Sequence, residues 1–229
     1  MPIIFHKKTK EFHLYNEKIS YIFKILANGH PGHIYYGRRL TDRDSFGGMI
    51  EYALRDMAPC AFEGNSPFSL EHLQQEYPSF GSGDMRFPAF ELERQDGSRV
   101  VDFKYQKHEI YAGKKKLPGL PAVYVEEETE AETLEVTLED VQIGARIVLS
   151  YTIFQALPVI ARNTCFYCDG ESITLLNAMS GSIDLPDKEY EMVELAGAWS
   201  RERHVNVRPL GYGIQSIYSL RGCSSHQFN

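Results

Sequence analysis

With 229 residues and a net charge of −7, the chain can bury a substantial core without disulfide staples, and its length allows one large β domain or two small ones. Its only basic run, Lys114-Lys115-Lys116, precedes Leu117-Pro118-Gly119 and reads as a solvated loop. Nucleic-acid and anionic-membrane binding need clustered cations, so neither class of partner is expected. No stretch approaches the roughly 18 apolar residues of a membrane helix. The first residues, Met1-Pro2-Ile3-Ile4-Phe5-His6, lack the apolar run of a signal peptide, so a cytoplasmic location is expected.

In chain order, residues 19–26 and 33–36 flank Asn28-Gly29-His30-Pro31-Gly32 and read as two strands joined by a turn. Residues 69–76 carry the best helix signal, a short piece stopped by Pro78. Residues 89–93 and 99–105 flank Asp96-Gly97-Ser98, a hairpin signature. Glu126 to Glu130 reads as a solvated connection. Residues 133–139 alternate cleanly, with Leu134, Val136 and Leu138 on one face. The next run continues the pattern, aligning Ile143, Ala145, Ile147, Leu149 and Tyr151. Residues 214–220 alternate again. Period two dominates, and 14 Tyr and 13 Phe suit a pleated, half-buried surface, so the chain is all-β, a sandwich or a barrel.

Two local patterns invite chemistry. Cys165-Phe166-Tyr167-Cys168 is a CxxC, but no second close pair completes a zinc site, and it sits in an extended run closing on Asp169-Gly170. It reads as strand thiols, with no metal and no cofactor expected. Trp199, the single tryptophan, lies in Gly197-Ala198-Trp199-Ser200-Arg201-Glu202-Arg203. An indole beside guanidiniums makes a sugar platform, the ring taking the C–H face of a pyranose and the charges its hydroxyls. The alternative is a core Trp at a strand end. Asp84, Asp102, Asp140 and Asp169 read as turn formers or solvated strand residues, and His226 as a structural residue.

An ordered set of motifs runs along the whole chain. It begins with Thr9-Lys10-Glu11-Phe12-His13-Leu14 and Gly32-His33-Ile34-Tyr35-Tyr36-Gly37. Gln75-Glu76-Tyr77-Pro78, Gly83-Asp84-Met85-Arg86-Phe87-Pro88 and Gly119-Leu120-Pro121-Ala122 follow. Leu195-Ala196-Gly197-Ala198-Trp199 and Arg221-Gly222-Cys223-Ser224-Ser225-His226 close the set. Together they resemble the bacterial α-galactosidases of glycoside hydrolase family 36. The resemblance implies that residues 1–229 are the N-terminal antiparallel β-supersandwich domain, incomplete at its C-terminal end, with a long unpaired edge after residues 214–220. It implies a retaining enzyme acting on galactosides such as melibiose and raffinose. Its two catalytic aspartates would lie in a downstream (β/α)₈ barrel, so this chain holds no catalytic residue and is expected to be inactive alone. It further implies that Trp199 reaches the galactose pocket of a neighbouring subunit in a homotetramer, with Arg201 and Arg203 supporting. Asp56 or Arg55 is implied as a second sugar contact.

Two other readings stand beside this one. A stand-alone galactoside-binding module would use Trp199 and surface tyrosines as stacking platforms. A small mutarotase would need a converging acid and base in a concave sheet face, for which no motif is present.

Overall fold

A computed structural model describes residues 2–53, 61–62, 65–119 and 123–218. Its strands, in chain order, are β1 (Ile3–His6), β2 (Glu11–Tyr15), β3 (Ile19–Ile25), β4 (Pro31–Arg38), β5 (Ala61–Phe62), β6 (Asn65–Ser69) and β7 (Phe90–Arg94). They continue with β8 (Lys104–Ala112), β9 (Ala131–Asp140), β10 (Ala145–Phe154), β11 (Ile160–Cys168), β12 (Ile173–Ala178), β13 (Glu191–Ala198) and β14 (Arg201–Pro209). Every strand pairing is antiparallel. The chain divides into two compact units, Met1–Leu185 and Pro186–Asn229.

In the first unit, two four-stranded sheets, β1-β2-β3-β4 and β11-β10-β9-β8, share one core. The alternation seen in the sequence explains it. Leu134, Val136 and Leu138 on β9 and Ile147, Leu149, Tyr151 and Ile153 on β10 are all buried. They meet Phe12, Tyr21 and Phe23 of the other sheet, and Phe23 stacks on Tyr151 at 5.1 Å between ring centroids. Burial of a large apolar side chain is worth about 1.5–3 kcal/mol, so this two-sided seam carries most of the unit's stability. The first sheet is covered on its other face as well, where Ile22 and Ile34 pack on Phe46. The 19–36 hairpin forms as expected, closing through Gly29 N–H to Leu26 C=O at 3.0 Å. Glu126 to Glu130 is exposed, and its last turn is a 3-10 turn with a Glu127/Glu130 capping box.

Three expected elements differ. Ser69 ends β6 and residues 70–76 run through turns and bends, not a helix, because partners elsewhere along the chain claim the backbone groups that a helix needs. Arg86 Nη2 binds the carbonyls of Leu70 and Leu73 at 2.6 and 2.8 Å, and Gln75 N–H donates to Asp184 at 2.8 Å. Glu76 N–H donates to Pro31 and Gln74 C=O accepts from His33. The Asp96-Gly97 turn exists, closed by Arg94 N–H to Ser98 C=O at 2.9 Å, but it does not make the expected hairpin. β7 pairs with β12 instead, and residues 99–103 are irregular until β8 joins β9. Finally, residues 214–218 form no strand. Ile214 is 79 % exposed and Tyr218 66 %, so among the described residues no sheet face lies beneath this alternation.

Residues 179–184, after β12, form a strap fastened to the first unit at several points. Tyr77 Oη donates to Met179 C=O at 2.6 Å, and Thr164 Oγ1 to Ser180 C=O at 3.2 Å. Arg162 holds Ser182 C=O, and Arg86 pairs with Asp184.

Candidate functional site

The second unit is a two-stranded arm, β13 paired with β14. Its register runs from Glu191↔Pro209 to Ala198↔Arg201, which leaves Trp199 and Ser200 as a two-residue tip. Two residues before Trp199, the ladder shifts at Gly197, between the paired Ala196 and Ala198. Gly197 has φ +148, and a Cβ there would lie 2.3 Å from the Arg201 carbonyl oxygen. Only glycine fits such a bulge, which turns the end of the arm. Ser200 completes the turn at φ 66, and its N–H donates to Glu202 Oε1 at 3.0 Å.

Trp199 is 85 % exposed at that tip. The core alternative is therefore excluded for the described residues. Tryptophan carries the largest apolar payload of any side chain and is highly buried on average. The indole stands at a hairpin tip behind a glycine bulge, with most of its surface free of the rest of the chain. Arg201 and Arg203 follow it, both exposed and with no ion pair among the described residues. Trp199, Arg201 and Arg203 thus come together along one hairpin end. Asp56 and Arg55, the other expected sugar contacts, lie outside the described residues, as does His226.

Further down the arm one face is apolar and open. Val193 faces Val207 and Leu195 faces Val205 across the ladder, and Val193, Val205 and Val207 are all more than half exposed. On the other face Arg208 lies 3.2 Å from the buried Glu194. A two-stranded ribbon is marginal alone, so this apolar ladder marks the arm as a surface that gains from being covered.

The first unit holds two polar clusters that sequence reading did not pick out. In one, the wholly buried Glu76 receives Arg162 at 3.0 Å, His33 Nδ1 at 3.1 Å and the Tyr21 hydroxyl. Burial alone would push the Glu76 carboxyl up, but Arg162, His33 and Tyr21 hold it below its usual value. Burial pushes the Tyr21 and Tyr151 phenols well up, so both stay protonated. In the other, Asp42 accepts from His13 Nδ1 at 2.7 Å and from His6 at 3.0 Å, while His13 Nε2 meets Ser20 Oγ at 2.9 Å. Burial lowers the His13 pKa, which fits a neutral ring donating to Asp42 and accepting from Ser20. This has the connectivity of a Ser-His-Asp triad, but His13 and Ser20 are both fully buried, so no acyl group can reach the hydroxyl. Neither cluster is a local pattern in the sequence, because the members of the first lie up to 141 residues apart along the chain and those of the second up to 36.

The remaining candidates have structural partners. Asp84 binds Arg86 at 2.5 Å and Gln75 at 2.6 Å. Asp140 accepts from the Asp102 and Gln142 N–H groups. Burial works against the charge on Asp102, but Lys104 and His30 hold its carboxyl below the usual range. Asp169 pairs with Arg146 at 2.5 Å. Cys165 and Cys168 lie on β11 and are free thiols. Three residues apart on a strand, they point to opposite faces. Among the described residues no group of three or more His, Cys, Asp or Glu side chains is placed to hold a metal ion, and no helix is long and apolar enough to cross a membrane.

Residues 29–229 match the family model of the glycosyl hydrolase family 36 N-terminal domain. The chain belongs to this family. It is 42 % identical over 231 residues to the α-galactosidase AgaA of Geobacillus stearothermophilus, covering 100 % of this chain and 31 % of that protein. The crystal structure of the family 36 α-galactosidase AgaB from the same organism superposes with a TM-score of 0.90 at 42 % identity, over 100 % of this chain and 31 % of that one. The α-galactosidase of Lactobacillus brevis gives a TM-score of 0.93 at 36 % identity, over 99 % and 31 % of the two chains. A variant of AgaA, solved in complex with raffinose, gives 0.88 at 43 % identity, over 96 % and 31 %. The family 36 domain described here therefore spans about a third of the length of these relatives, and its antiparallel β-sandwich is theirs.

Proposed function

We propose that this family 36 domain is the N-terminal part of a retaining α-galactosidase that removes terminal α-galactosyl residues from oligosaccharides such as melibiose and raffinose. Retaining chemistry needs a nucleophilic and an acid/base carboxylate about 5–5.5 Å apart. On this reading a (β/α)₈ barrel outside residues 1–229 supplies both, and this domain supplies binding groups and oligomer contacts. The observation that carries the reading is Trp199, 85 % exposed at a hairpin tip behind a glycine bulge. The indole forms one wall of a galactose pocket in a neighbouring subunit of a homotetramer, and Arg201 and Arg203 support it. Asp56 or Arg55 adds a hydroxyl contact. The open Val193, Val205 and Val207 face of the arm is the covering surface between subunits.

The test uses the enzyme that carries this domain. Trp199→Ala costs about 1–3 kcal/mol of galactoside binding or turnover, and Trp199→Phe recovers part of it. A Trp199→Ala form mixed with a form lacking the barrel nucleophile pairs intact barrels with intact neighbouring indoles at some sites, so activity rises above either parent. Unchanged kinetic constants in a folded Trp199→Ala enzyme would remove the platform role. Absence of rescue despite subunit exchange would place Trp199 in its own subunit's pocket.

A further inference from the structure

The outer face of the β8–β11 sheet lies away from the shared core, and it is a groove rather than a plane. Loop residues 114–118 rise over it and help enclose a volume of about 430 Å³, within the roughly 300–1,000 Å³ of ligand clefts. Strand register decides what lines the floor. Lys107 stands opposite Thr137, and Glu135 opposite Ser150, which stands opposite Asn163 on β11. The Thr137 and Ser150 hydroxyls have no partner among the described residues, and the Asn163 amide has only a 3.8 Å contact to Cys165 Sγ. These are neutral donors and acceptors laid across three strands, β9 to β11, roughly 9.5 Å at 4.7–4.9 Å per strand. That is far longer than a lone anion needs.

The rim has the opposite sign from the protein. Five cations line the groove against two carboxylates, in a chain of net charge −7. Three of the cations are already committed. Lys115 pairs with Glu135 at 2.9 Å, Lys107 with Glu109 at 3.4 Å and Arg146 with Asp169 at 2.5 Å. Lys114 and Lys116 have no ion pair among the described residues. Glu135 also accepts from the Tyr111 hydroxyl at 2.8 Å, and Lys115 caps the Tyr111 ring at 4.5 Å, so that wall is held in place. The groove thus offers a hydrogen-bonding floor whose charged members, Lys107, Glu135 and Arg146, are already paired, and two uncompensated ammonium groups at one end.

We propose that this groove binds a saccharide bearing an anionic group, either a phosphate ester or a uronate. Its hydroxyls lie on the Thr137, Ser150 and Asn163 floor, and its anion lies at Lys114 and Lys116. The site is separate from the Trp199 arm and does not depend on the α-galactosidase reading.

Titration calorimetry on the intact protein tests it, with galactose 6-phosphate, digalacturonate, inorganic phosphate and melibiose as probes. One or both anionic saccharides bind saturably, and which of them binds identifies the anion. Lys114→Glu/Lys116→Glu weakens that binding about tenfold, and added salt weakens it too. The same double variant leaves any melibiose signal unchanged. Trp199→Ala leaves the anionic saccharide's affinity unchanged, which separates this site from the proposed galactose pocket. Three results would each overturn the proposal. These are no binding of either anionic saccharide, inorganic phosphate binding as tightly as the sugar phosphate, or an affinity indifferent to the lysine reversals in a protein with unaltered circular dichroism.

Discussion

Arg162→Met is the sharpest single test of how the first unit is held together. The substitution keeps an unbranched stem of comparable packing and removes the guanidinium. It leaves Glu76 fully buried, with His33 and the Tyr21 and Tyr151 hydroxyls but no cationic guanidinium against its charge. It also releases Ser182 C=O, and the Tyr151 hydroxyl loses a neighbour at 3.3 Å. Breaking a buried pair from one side costs about 3–5 kcal/mol, because the remaining charge is uncompensated. For a protein of this size each kcal/mol lowers Tm by about 2–4 °C, so a drop of roughly 6–20 °C is expected. Without Arg162 the Glu76 carboxyl rises above its ordinary value, so the variant's deficit narrows as the pH is lowered through the usual glutamate range. Glu76→Gln/Arg162→Met removes the orphaned charge and loses less than the sum of the two single changes. Urea unfolding at neutral pH and at about pH 5 measures all of this. A loss below about 1 kcal/mol, the worth of an exposed pair, or strict additivity in the double variant would refute the account of a desolvated, mutually dependent cluster.

Two further outcomes are expected. Stability falls on acidification in two stages. The His13 pKa is lowered in the fold, so the unfolded chain takes up a proton first and stability drops as pH falls below about 6.5. Glu76, Asp42 and Asp102, all held low, add a steeper loss as pH falls below the ordinary carboxylate values, while Glu132, raised by burial, takes up its proton in the fold above the ordinary value and so offsets part of the first stage. Burial lowers the His108 pKa as well, so a His13→Gln variant should lose only part of the first stage, and an unfolding free energy flat between pH 7 and about pH 5 in the parent would contradict the assignment. Because Trp199 is the single tryptophan, indole fluorescence reports the arm's tip alone. The isolated chain is expected to emit as a water-exposed indole and to be quenched readily by acrylamide, whereas assembly into the larger enzyme shifts the emission to the blue. A buried-type spectrum from a monomeric chain would show the indole folded back.

The parts of the fold that were legible in the sequence are those where one face meets a core and the other meets water. β9 and β10 alternate because Leu134, Val136, Ile147 and Leu149 face the seam, and the period survives in the letters. Where distant partners settle the backbone, local pattern misleads. The segment 69–76 has helical residues, but Arg86, Asp184, Pro31 and His33 take its donors and acceptors. β7 was legible as a strand and its turn as a turn, yet its partner β12 lies some eighty residues on. The alternation at residues 214–218 shows the converse, since a period-two stretch is only a strand where another backbone pairs with it. For the candidate site, residue type and setting left Trp199 open between a sugar platform and a core Trp, and only the family resemblance favoured the platform, while the bulge at Gly197 had no reading in the sequence. The 85 % exposure of Trp199 needed coordinates. The Glu76 cluster carried no local signal, because burial, not spacing, gives it its properties.

The His13, Asp42 and Ser20 constellation matters for how hydrolases are recognised from coordinates. A template search that scores only interatomic distances would retrieve it as a nucleophile with its base and orienter, and in a protein from a family of hydrolases that hit would look persuasive. What disqualifies it is access. Ser20 has no solvent exposure, and its oxygen already accepts from the Leu40 N–H at 2.9 Å. The same three side chains that elsewhere lower a barrier here fasten β2 and β3 to the segment that carries Asp42. Distance templates therefore acquire discriminating power only when paired with a reachable attacking atom. This domain supplies a natural decoy against which such filters can be calibrated.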